Sequence, residues 1–156
     1  MSNQEINDTR RGYTLEVLRL AREFLDDPKH WIQDEYFLDQ HGDQIDPAEI
    51  TTKWQDATCC CSVGAVYRAC AQLELLERKF EHVSGVSALS EPTSTLAAAT
   101  WALGDAALMD KQFAASIDGN TQGDLAVIYF NDRTPRTHSE IIAMFDRAIA
   151  KLEARR

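Results

Sequence analysis

Thr137-His138-Ser139-Glu140-Ile141-Ile142-Ala143-Met144-Phe145-Asp146-Arg147-Ala148-Ile149-Ala150-Lys151-Leu152 is the stretch that decides the fold. A threonine with a glutamate three positions on is a capping box, in which each side chain satisfies a backbone amide at the other residue. Behind it, Ile141, Ile142, Phe145, Ala148, Ile149 and Leu152 recur at helical spacing, so the stretch predicts an amphipathic helix with a sharply defined start. Such a helix has to bury its apolar stripe against other elements.

Upstream of this helix, the apolar run Leu125–Phe130 reads as a buried strand or a helical turn, and Asp118-Gly119-Asn120 before it has turn chemistry. An alanine-rich segment with Leu96, Trp101, Leu103, Ala107 and Leu108 predicts another helix, capped by Thr93 or Ser94. A longer one is expected from about Thr58, with Val63, Val66, Ala69, Cys70, Leu73, Leu76 and Phe80 on one face. Between these two, Glu81–Pro92 reads as a loop. Leu15, Val17, Leu18, Ala21, Phe24 and Leu25 predict a first helix of about three turns, stopped by Asp26-Asp27-Pro28. Trp31–Ile45 fits a short hairpin or ordered loop. The fold expected is therefore mainly α: about four main helices with a minor β-hairpin or short-strand element. They form a single helical domain over residues 13–156 behind a flexible N-terminal segment, residues 1–12. At 156 residues, the chain is long enough to bury a core without disulfide or metal staples.

The net charge of -9 and a pI near 4.8 argue against nucleic-acid binding through phosphate neutralisation, which needs clustered Lys and Arg. An acidic surface suits a basic protein partner instead. No apolar run approaches the ~20 residues of a membrane span, and the N-terminus is polar, so a cytoplasmic protein is expected. Cys59, Cys60, Cys61 and Cys70 lack the spacing of a disulfide framework. No Cys-x-x-Cys or His-x-x-x-His pair suggests a metal, and no Gly-rich phosphate loop suggests a cofactor. The histidines, His30, His41, His82 and His138, are scattered.

Three polar motifs carry candidate chemistry. In His30-Trp31-Ile32-Gln33, Trp31 fits a plug at the end of the first helix, and Gln33 either donates into a site or satisfies loop backbone groups. In Cys59-Cys60-Cys61-Ser62-Val63-Gly64-Ala65, a thiol at a helix N-terminus is favoured as thiolate by the dipole, while the competing role is packing as a small hydrophobe. Gly64 and Ala65 suit tight helix contact. The densest motif is Asn131-Asp132-Arg133-Thr134-Pro135-Arg136-Thr137-His138. Its Asn and Asp can turn the chain and Thr137 can cap, which leaves Arg133, Arg136 and His138 at a helix start suited to an anion or an acidic partner.

Taken together, His30-Trp31-x-Gln33, Cys61-x-x-Gly64-Ala65 and Asn131-Asp132-Arg133 with Arg136-Thr137-His138 resemble a bacterial and phage family of unknown function. The resemblance runs from about Leu18 to Leu152, with no matching motif over Glu81–Gly123, and Phe130 stands where related sequences often have Trp before Asn-Asp. It implies that the three motifs meet in space.

Two functions from different classes compete, with a third between them. The first is a small acidic cytoplasmic accessory protein, of phage or mobile-element origin, that acts by binding a protein partner through Trp31, Asn131, Arg133 and Arg136 and through its acidic surface. The second is a cysteine-nucleophile hydrolase or transferase, with Cys61 attacking, His138 as base, Asn131 or Asp132 orienting it and Gln33 donating to an oxyanion. The order Gln, Cys, His is similar to that of papain-like enzymes, which however carry the histidine on a substantial sheet, with the orienting residue after it. The third is an anion or small-ligand sensor built on Arg133 and Arg136. Oligomeric state is not legible in the chain.

Overall fold

The computed structural model describes residues 2–76, 94–133 and 135–155. Its elements follow in the order α1 (Asn3–Phe24), β1 (Phe37–Leu38), α2 (Ile50–Lys53), β2 (Cys59–Cys60), α3 (Ser62–Gln72), α4 (Thr95–Ala107), α5 (Lys111–Ala114), α6 (Gly123–Asp132) and α7 (His138–Glu153). Single 3-10 turns lie at Pro28–His30 and Pro47–Glu49. The protein is thus mainly helical with a two-stranded antiparallel sheet, but the described residues hold seven α-helices rather than about four.

The last helix is the one its capping box predicts: the Thr137 side chain accepts from the Glu140 amide, and Glu140 reaches back to the amide of Thr137. The first helix differs. It starts at Asn3 and runs for 22 residues, where the apolar spacing predicts about three turns beginning near Leu15. A second capping box explains this, since the Ser2 side chain accepts from the Glu5 amide and Glu5 returns to the Ser2 amide. Along α1, Val17, Leu18, Ala21 and Leu25 are buried. Its outer face is tied to α7 by Arg22 to Asp146 at 2.9 Å and by the pair Arg19–Glu153.

The helix expected from about Thr58 begins later, at Ser62, because Cys59 and Cys60 are strand. They pair antiparallel with Leu38 and Phe37. Cys61 is the N-cap, its sulfur accepting from the Gly64 amide at 3.3 Å. The helix stops at Gln72, and Glu74 takes a left-handed φ of 57°, so Leu73 and Leu76 pack beyond its end. Phe80 and the loop expected over Glu81–Pro92 lie outside the described residues, as does Thr93; α4 is capped by Ser94. The run Leu125–Phe130 is helical, within α6.

One continuous core joins these elements, with Phe37, Phe130, Phe145, Leu18, Leu25 and Ile50 among its fully buried side chains. Two glycines permit its closest approaches. A Cβ on Gly64 would lie 2.2 Å from the Tyr36 carbonyl oxygen, so α3 abuts the chain leading into β1 only without a side chain there. A Cβ on Gly104 would lie 2.6 Å from the Gly123 carbonyl oxygen, which sets how closely α4 meets the start of α6.

Candidate functional site

The three polar motifs meet at Asn131, in the last turn of α6. This side chain is 1% exposed, and its amide makes five contacts. The oxygen accepts from the Trp31 indole at 2.9 Å, the Ser62 amide at 3.0 Å and the Ser62 hydroxyl at 2.7 Å. The nitrogen donates to the Ile32 carbonyl at 3.1 Å and to Asp132 Oδ1 at 2.7 Å. Because Ser62 is the first residue of α3, the Asn131 oxygen supplies an acceptor to one of the orphan amides at that helix start.

Gln33 and Asp132 close the ring. Gln33 donates from Nε2 to the Asn131 backbone carbonyl at 2.7 Å, and Asp132 Oδ1 also accepts the Asp34 amide at 3.0 Å. Asp34 has a φ of 67°, a left-handed conformation that costs a non-glycine residue about 1–2 kcal/mol, and its amide bond to Asp132 holds it there. The loop after α1 is thereby fastened to α6 through side chains and backbone together.

Cys61 lies beside this ring with the surroundings of a packed thiol. It is buried, and desolvation, opposed by the Gly64 amide and reinforced by the Asp132 charge, pushes its pKa up to about 12. Burial likewise holds Cys70 at about 12 and raises Cys60 well above the ordinary thiol range. Cys59 is the partly exposed thiol, donating to the Lys29 carbonyl at 3.2 Å.

His138 faces the end of α1: its Nε2 lies 2.6 Å from the Leu25 carbonyl oxygen and so donates to it. His30 does the same from Nδ1 to the Phe24 carbonyl at 2.8 Å, its ring stacked on Phe24. Two imidazoles thus satisfy carbonyls left open at the C-terminus of α1. Trp31 sits next to His138, ring centroids 6.2 Å apart, packed against the core. The sequence offers Cys61 and His138 as nucleophile and base, but in the structure the thiol accepts from the Gly64 amide and the imidazole donates to the Leu25 carbonyl.

Arg136 is the second buried anchor. Its side chain is 6% exposed, donates to the Phe130 carbonyl at 2.7 Å and lies 3.6 Å over the Phe130 ring. Glu140 at 3.1 Å and Asp110 at 3.8 Å balance its charge. Arg133 is exposed and donates to Ser116 Oγ. Both arginines line a cavity of about 250 Å³ with Asp110, Phe113 and Glu140. The two carboxylates offset the two guanidinium groups, and Glu140 already occupies the start of α7, where an external anion would sit.

Sequence reading missed Asp124, Tyr36 and Tyr67. Asp124 is 6% exposed and its Oδ2 has no hydrogen-bond partner. Burial raises its pKa despite the Leu125 amide. Burial raises the pKa of Tyr36 and of Tyr67, and the charge of Asp124 adds to the rise in both. An acidic residue at the head of the apolar run Leu125–Phe130 was the available signal. No group of three or more His, Cys, Asp or Glu among the described residues is placed to hold a metal, and no helix among them is long and apolar enough to cross a membrane.

Fold and site together define a small helical protein whose marked polar residues form an internal hub. The chain belongs to DUF6197, a family of unknown function, which it matches over residues 10–151. No curated protein and no solved structure matches it.

Proposed function

We propose that this chain is an accessory protein that works by binding a protein partner, through its acidic surface and a few exposed aromatic side chains. The observation that carries the reading is where large apolar groups stand. Trp101 is 40% exposed and Tyr129 50%, whereas Asn131, Trp31, Gln33, Cys61 and His138 spend their polar groups on partners within the fold. Interface energy is concentrated in such aromatic anchors, and a net charge of -9 selects basic partners and speeds encounter with them. Free cysteines accord with a reducing, cytoplasmic setting, and a phage or mobile-element origin rests on the resemblance of the motifs.

Burial works against the cysteine nucleophile, and Glu140 and Asp110 work against an anion sensor at Arg133 and Arg136. The test is affinity capture from bacterial extract at two salt concentrations, with wild type beside Trp101→Ala, Tyr129→Ala, an acidic-to-lysine variant and Cys61→Ala. A specific partner lost with the aromatic and charge variants, and kept by Cys61→Ala, is the expected result. Retention that is indifferent to charge, to salt and to both aromatics overturns the reading.

A further inference from the structure

We propose that the open cavity beside Arg68, on the face where α1 meets α3, binds a zwitterionic α-amino acid, the carboxylate on Arg68 and the ammonium on Glu23. The starting observation is an uncompensated cation. Two other shielded guanidinium groups are neutralised, Arg22 by Asp26 and Asp146 and Arg136 by Glu140 and Asp110, while half-buried Arg147 donates to the Ala106 carbonyl. Arg68 is half-buried with no ion pair among the described residues. Its Nε donates to the Ala57 carbonyl at 3.3 Å, and its guanidinium carbon lies 4.1 Å from the centre of the Phe24 ring and 5.3 Å from that of Trp54. Burial lowers its pKa, the sign of a charge desolvated without a counter-ion.

Arg68 forms part of the wall of a cavity of about 440 Å³, lined by Leu20 and the edge of Phe24 on its apolar side and by Glu23, Asp26 and Asp27. His30 and Gln72 complete the wall. The volume suits one small molecule. Charge decides which kind: three carboxylates repel phosphate or sulfate, while a simple amine leaves the Arg68 guanidinium without an anion. Asp26 is engaged with Arg22, and Asp27 accepts the Lys29 amide at 2.9 Å, which leaves Glu23, exposed on α1, to receive a cation. A ligand carrying both charges on one carbon, with an apolar side chain for Leu20, satisfies Arg68 and Glu23 together. The two rings hold the guanidinium plane in place, so little side-chain freedom is lost on binding.

The probe is L-phenylalanine in isothermal titration calorimetry against the full chain, with 3-phenylpropionate lacking the ammonium and 2-phenylethylamine lacking the carboxylate. The expected result is binding of L-phenylalanine at least about tenfold tighter than either analogue, and a loss of about tenfold or more in Arg68→Gln, as for a charged hydrogen-bonded contact. Glu23→Gln, at an exposed position, brings L-phenylalanine down toward 3-phenylpropionate. If Arg68→Gln fails to fold by circular dichroism, Glu23→Gln and the two analogues decide the matter. No heat with L-phenylalanine, equal affinity for 3-phenylpropionate, or a folded Arg68→Gln that binds as wild type makes Arg68 a structural brace only and overturns the proposal.

Discussion

Replacing Asn131 with alanine tests the hub most directly. Truncation removes the acceptor of the Ser62 amide, the Ser62 hydroxyl and the Trp31 indole, and the donor to the Ile32 carbonyl. The Ser62 hydroxyl can rotate, and Trp31 is close enough to the surface to find water. The Ser62 amide is fully buried and stays unpaired, and the part-buried Ile32 carbonyl loses its hydrogen-bond donor within the described residues. At about 1–3 kcal/mol for each buried unsatisfied group, with the lost packing added, the expected cost is about 3–5 kcal/mol. That is a large share of the ~5–15 kcal/mol of a typical domain. Urea unfolding followed by tryptophan fluorescence and circular dichroism measures it. Asn131→Asp separates the two halves of the amide: it keeps the acceptor but sets a carboxylate against Asp132 and the Ile32 carbonyl. Its deficit is therefore expected to shrink as pH falls and the introduced carboxyl gains a proton to donate. A loss under about 1 kcal/mol in Asn131→Ala, well below the cost of even two unpaired groups, refutes the hub as a determinant of stability.

Three further outcomes follow from the same packing. Asp124, whose folded pKa lies above its unfolded value, favours the folded state at pH below the ordinary carboxylate range and loses that contribution as pH rises through the folded pKa; Asp124→Asn is expected to be more stable than wild type at neutral pH, with a flatter stability curve, and equal or lower stability at pH 7 in urea unfolding rules this out. Gly64→Ala and Gly104→Ala force a Cβ against backbone at 2.2 Å and 2.6 Å and each is expected to cost about 2 kcal/mol or more, whereas Gly119→Ala, with nothing within 4 Å, stays within about 0.5 kcal/mol in the same titration. Alkylation of the native protein at pH 7, read by mass spectrometry, is expected to label Cys59 first and to leave Cys60, Cys61 and Cys70 until unfolding; labelling of Cys61 at the rate of a free thiol contradicts its burial.

The parts of the fold legible in the sequence are those whose cause is local. The box at Thr137 and Glu140 and the stripe behind it specify α7 without help from the rest of the chain. An equivalent box at Ser2 and Glu5 specifies the start of α1, but the residues after it are polar, so hydrophobic period alone placed that helix too late. α6 is obscure for the opposite reason: apolar residues on most of its faces erase the period, and only its packing shows it to be helical. Cys59 and Cys60 read as the start of a helix because their strand exists through register with Phe37 and Leu38, some twenty residues away. No pattern within the segment encodes that pairing. The one-turn helices α2 and α5 are too short to carry any period.

The motifs were legible one by one and their meeting only through the resemblance, and their chemistry was not, for a reason that magnitudes decide. Cys61 does stand at a helix N-terminus, where the dipole favours a thiolate by about 0.3–1 kcal/mol. Burial that lifts a thiol to about 12 opposes this by on the order of 4 kcal/mol, and burial follows from Gly64, whose missing side chain lets α3 press on the Tyr36 backbone. The same logic governs Asn131 and His138: each polar group is placed where a helix end or loop leaves a backbone group open, and closing that gap uses up the group. A dense polar motif can therefore record how many backbone groups meet at one place rather than what the protein transforms. Trp101 and Tyr129 stand exposed on the surface instead, and Arg68, at its cavity, engages a backbone carbonyl through Nε alone among the described residues. None of the three lies in the motifs that mark the sequence.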